Sequence, residues 1–159
     1  MREGKMNLAV DLWNFVKVMC VSMLPIVEVK GAIPMGLVWG MSGWEAFAAA
    51  VLGSSIPVPF IMLLLKPALR WMRSLPYKPC HAYADWFERR AMKKKGKISE
   101  KSLIFLFLFV AVPIPTTGVW MGSAIATLLD IRIKYALPLI LAGNIVASLI
   151  LVALGVLVI

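Results

Sequence analysis

Histidine and cysteine are almost missing from these 159 residues, which hold one histidine, His81, and two cysteines, Cys20 and Cys80. A metal site on such ligands needs three or four of them at short spacings, and a disulfide scaffold needs a dense, even set, so neither class fits. Charge is scarce as well. Charged residues are 16% of the chain, and only eight are acids, where an average soluble domain is about 25% charged. There is no Gly-rich phosphate loop, no Ser/His/Asp set and no close pair of acids, so the chain reads as a non-enzyme without a cofactor.

What fills the composition instead is apolar surface, 61% of the residues. In such excess it has to face lipid, and the length allows one domain, residues 1–159, in the cell membrane. The formal charge of +9, from 17 Lys and Arg, then speaks of orientation and anionic lipid before nucleic acid, which is not an expected partner.

Charges divide the chain into countable spans. Residues 46–65 and 135–159 are uncharged runs of 20 and 25 residues, each long enough for a full crossing at about 20 residues. The run 102–129 has 28 uncharged residues but contains Pro113, Pro115, Gly118 and Gly122. As one helix it would reach about 42 Å, beyond a hydrocarbon core of about 30 Å. It is expected to be a re-entrant hairpin with its tip near 113–118. Trp13 to Leu24 likewise spans only about 18 Å before Pro25, and Gly31 to Val38 resumes after the charged centre Glu28-Val29-Lys30. That is a second expected hairpin. A cleaved signal peptide is the competing reading of the N-terminus, but Asp11 and Lys17 interrupt its apolar part.

The two halves share an order of half-length segment, Pro/Gly break, half-length segment and full crossing, at an offset that sets Gly53-Ser54 against Gly143-Asn144. Between half 1 (7–65) and half 2 (102–159) lies a basic loop, 66–101, with 11 Lys/Arg against Asp85, Glu88 and Glu100. By the positive-inside rule this loop is cytoplasmic, and the link Leu37 to Trp44, without Lys or Arg, is external. Two similar halves then sit in opposite orientations, an architecture of secondary transporters. The fold class expected is an all-α polytopic membrane protein: an inverted repeat of two re-entrant hairpins, each followed by a transmembrane helix, with a cytoplasmic interfacial helix between the halves. An ordinary four-helix bundle of Pro-kinked helices is the alternative. The segment Tyr83 to Met92 sets Tyr83, Trp86, Phe87 and Ala91 on one face, so it is expected on the membrane surface, where Lys93, Lys94, Lys95 and Lys97 would meet lipid headgroups.

The stretch Leu24-Pro25-Ile26-Val27-Glu28-Val29-Lys30-Gly31-Ala32-Ile33-Pro34-Met35-Gly36 resembles the signature of the small multidrug export family. Val112-Pro113-Ile114-Pro115-Thr116-Thr117-Gly118-Val119-Trp120-Met121-Gly122 is similar to that family's second pattern. More distantly, the glutamate and proline of a first hairpin followed by a second hairpin resemble the DedA superfamily, which implies lipid scrambling or carrier-lipid translocation. The arginines often seen in the second hairpin of DedA proteins are absent from 102–129, where Thr116 and Thr117 are the polar residues of the break.

Candidate site residues follow from the breaks. Glu28 is the acid of the first hairpin, and an ionisable group at membrane depth is functional by default. Lys30 and Pro34 accompany it. Pro113, Pro115, Thr116, Thr117 and Gly118 precede a helix N-terminus whose free N–H groups favour an anion or an acidic side chain, and Glu28 could point there; the hydroxyls could equally be mere caps. Asn144 stands alone in the last crossing. Together these imply a small transporter, homodimeric because two crossings enclose little volume, that moves an amphipathic or lipid-like substrate through a midplane site, with proton coupling open to it. A scaffolding protein with a lipid- or partner-binding loop and a passive lipid scramblase are the rivals.

Overall fold

The computed structural model describes residues 8–74, 76, 79, 81–82, 84–86, 89, 102–114 and 117–158. Among them no strand occurs. The helices are α1 (Leu8–Ser22), α2 (Glu28–Val38), α3 (Gly43–Ser55), α4 (Pro57–Ser74), α5 (Ser102–Ala111), α6 (Val119–Leu128) and α7 (Ile133–Val158). Only Ile56 separates α3 from α4, so Gly43–Ser74 is one apolar stretch of 32 residues, and with Ile133–Gly155 it makes two stretches long and apolar enough to cross a membrane. The run 46–65 is the middle of that stretch. Helix α4 continues past Lys66 through Arg70 and Arg73, because Lys and Arg end an apolar run without ending a helix.

Local chemistry sets the helix ends. Pro25 disfavours helix at Leu24, and α1 stops before it, at Ser22. The first break is thus Met23–Val27, and Glu28-Val29-Lys30 forms the opening turn of α2 rather than the centre of the break. Helix α3 begins with a capping box: the Glu45 N–H donates to Ser42 Oγ (3.3 Å), and the Ser42 N–H donates to Glu45 Oε2 (2.8 Å). Ser42→Ala removes one of these bonds and is expected to lower stability by about 1 kcal/mol, read as a lower thermal midpoint in detergent.

The ends of α2 and α6 are alike in detail, ninety residues apart. After α2, Gly40 N–H donates to Leu37 O (3.0 Å) and Met41 N–H to Gly36 O (3.1 Å). After α6, Asp130 N–H donates to Thr127 O (3.2 Å) and Ile131 N–H to Ala126 O (3.0 Å). Both are Schellman turns with a left-handed residue, Gly40 at φ 82° and Asp130 at φ 58°.

Two cores form. Val18, Ile33 and Ala46 join α1, α2 and α3, with Leu151 and Val152 from the end of α7 packed on them. Leu106, Ala126 and Ala136 join α5, α6 and the start of α7, with Val58 and Met62 of α4 added. Each long helical stretch therefore serves one core with its first part and the other core with its second. Gly53 and Gly143 sit where a Cβ would run into the Met19 and Phe107 carbonyls of α1 and α5, the small-residue contact by which helices approach closely in lipid. Leu12, Leu63, Leu64 and Ile104 are among the large apolar side chains left facing outward.

Candidate functional site

The two breaks meet. Glu28 opens α2 in a left-handed conformation, φ 46°, that residues other than glycine adopt only occasionally, and the residue is buried, 4% exposed. Its Oε1 accepts the backbone N–H of Trp120 at 3.0 Å. Trp120 lies in the first turn of α6, whose own N-cap, Gly118, offers no side chain. A carboxylate at the start of the helix after the first break therefore caps the helix after the second, where unpaired N–H groups and the positive end of the dipole stabilise negative charge. Gly118 makes this approach achievable. It sits at φ 138°, and a Cβ there would fall onto the Glu28 carboxylate.

Two more bonds cross between the breaks. Lys30 Nζ donates to the Thr117 carbonyl and lies 3.5 Å from Glu28 Oε2. In the other direction the Trp120 indole N–H donates to the Met23 carbonyl at 3.0 Å, one of the acceptors left over where α1 ends. Each break thus satisfies backbone groups that the other exposes.

Of the remaining site residues, Thr117 turns its hydroxyl to the Val112 and Ile114 carbonyls (2.8 and 2.9 Å). It closes its own break and does not cap α6, so the capping role expected of this hydroxyl belongs to Glu28. Pro113 is half-buried in that break. Pro34 is exposed in α2: six residues from Glu28 is about 240° around a helix, so it cannot share the Glu28 face. Asn144 is buried and donates from Nδ2 to Ser54 Oγ at 2.8 Å. Pro115, Thr116, Lys93, Lys94, Lys95 and Lys97 lie outside the described residues, as do Tyr83, Phe87 and Ala91 of the interfacial segment; Trp86 is exposed.

The sequence reading did not select Trp120 or Ser54 for the site. The signal for Ser54 was present, because Ser54 and Asn144 are separated by the repeat offset of ninety, as are Glu28 and Gly118. Among the described residues no three His, Cys, Asp or Glu side chains come together, and the Glu28 carboxyl has the Lys30 ammonium beside it. Such a pair can bind a charged group by exchanging partners, or carry a proton on the carboxylate.

Residues 28–150 match the pattern of one protein family, described as "Putative small multi-drug export protein". No curated protein and no solved structure matches the chain.

Proposed function

The chain belongs to that small multi-drug export protein family, and on this premise we propose that it is a membrane transporter for an amphipathic or lipid-like substrate. The substrate passes through a midplane site at the crossed breaks, and the carboxyl of Glu28 is the group that exchanges partners during transport. The observation that carries the proposal is the contact of Glu28 with the first turn of α6 across 92 residues of chain. It sets a buried ionisable group where two interrupted helices meet, and that is how transporter sites are built from discontinuous helices.

On this reading α1–α2 and α5–α6 are re-entrant hairpins entering from opposite sides, and the halves form an inverted repeat. The matching Schellman turns and the pairs Glu28–Gly118 and Ser54–Asn144 support it. The likeness of the breaks to DedA hairpins favours a lipid-like substrate. The exposed apolar tip Ile26 and the small volume enclosed by two crossings favour a homodimer. The basic stretch 66–101 lies in the cytoplasm and touches anionic lipid.

The test is flux through purified protein in liposomes, with cationic drugs and lipid phosphates as probes, with and without a pH gradient. Flux that requires the protein and follows the gradient is the expected result. Gradient-independent lipid flux would assign a passive scramblase, and no flux of any probe would leave the scaffold. Orientation is checked separately. Single cysteines at Gly40 and Lys94, in a Cys20→Ser/Cys80→Ser background, are expected to label from opposite sides, Gly40 from outside, and labelling of both from one side overturns the inverted repeat.

A further inference from the structure

Midway along α4, Lys66 is ion-paired with Asp130. We propose that this pair is a latch between the two halves that holds the cytoplasmic side of the transporter closed; the inference rests on the transport reading above.

The reasons are in the turn that carries Asp130. It is the Schellman turn after α6, and its counterpart after α2 has Gly40 at the same place. Glycine takes a left-handed conformation at no steric cost, and asparagine takes it readily, so the turn itself has no use for a carboxylate. What the acid contributes is its partner. Lys66 lies on the long helical stretch Gly43–Ser74 that begins in the first half, and Asp130 belongs to the second, so the pair joins the two.

The opposite link is held differently. There Asn14 Nδ2 donates to the Trp39 carbonyl at 3.3 Å, and Lys17 lies 4.7 Å from the Trp39 ring centroid. Both partners come from the first half, so these polar contacts fasten the link to its own hairpin, and what joins the halves on this side is the apolar packing of Leu151 and Val152 on the first core. Ninety residues from Lys66 stands Val156, and ninety before Asp130 stands Gly40; neither carries charge. One side of the fold thus carries an inter-half ion pair at a position where the other side, ninety residues away, has no charge. Alternating access by rocking of halves needs the contacts on one side to break as the other side closes. The pair is exposed, 33% at Lys66 and 82% at Asp130, so it can bias such an equilibrium without freezing it.

The experiment measures accessibility, not transport. In a Cys20→Ser/Cys80→Ser background, Ser123→Cys places a thiol on buried α6 one turn beyond Trp120. Its rate of modification by a membrane-impermeant thiol reagent is followed in inside-out vesicles. Lys66→Gln and Asp130→Gly are each expected to raise that rate about two- to fivefold, the population change that an exposed ion pair can hold. Asp130→Gly keeps the turn, so misfolding does not account for the change. The double variant is expected to fall short of the product of the two single effects, because either substitution already removes the Lys66–Asp130 interaction. Unchanged rates, or effects of the two substitutions that multiply in the double, would overturn the latch. A raised rate in protein that carries no probe in the flux assay keeps the latch as a conformational element and removes the transport reading.

Discussion

Glu28→Gln is expected to reduce flux by about 100-fold or more, the scale set by loss of a positioned proton-transfer group, while helix content and insertion stay unchanged. Gln keeps the length of Glu, and its amide oxygen can still accept the Trp120 N–H now held at 3.0 Å. The fold therefore retains its cap. What is lost is the charge that draws Lys30 and the capacity to take up a proton. If the site is proton-coupled, the residual flux is also expected to ignore a pH gradient that drives the parent protein. A Glu28 that only anchors the hairpin predicts a nearly silent substitution, because its bond from the Trp120 N–H survives. Initial rates in liposomes, normalised to protein shown to be folded and inserted, separate these outcomes. A rate within about twofold of the parent would remove Glu28 from the mechanism.

Gly118→Ala is expected to be nearly as damaging to flux and also to lower stability. The glycine has φ 138° and ψ −166°, a region essentially closed to other residues and costing about 1–3 kcal/mol to occupy. The new methyl would also fall onto the Glu28 carboxylate, pushing it off the first turn of α6. These two causes can be separated. In a Glu28→Ala background there is no carboxylate to displace, and only the backbone strain remains. The destabilisation from Gly118→Ala is therefore expected to shrink there, giving a coupling of about 0.5–3 kcal/mol. Thermal melts of the parent, the two single variants and the double measure it. Equal destabilisation in both backgrounds would mean that the side chain does not lie against Gly118 as the structure has it.

The helices and their interruptions were legible in the sequence because their causes are local. Pro25 restricts Leu24, Ser42 and Glu45 cap α3 together, and uncharged runs of 20 and 25 residues mark the two long apolar helical stretches. The same local view did not show that the helix continues beyond the first uncharged run, since Lys66 breaks hydrophobicity while α4 runs to Ser74. It also grouped Pro34 with Glu28 by nearness in sequence, although helical geometry alone sets them on different faces.

Composition and charge by themselves determined that this chain is apolar and helical, where its helices are interrupted, and that its ionisable group of interest lies at the first interruption. These follow from steric limits within a few residues and from the cost of burying charge, neither of which depends on the rest of the fold. Only the tertiary structure decided which breaks face each other, and so that Glu28 caps α6, Trp120 returns a bond to Met23, and Lys66 meets Asp130. Those partners lie 64 to 97 residues apart. What joins them is the interleaved packing of α4 on the second core and the end of α7 on the first, and that packing is a property of surfaces fitted across the whole chain, which no short stretch of it contains.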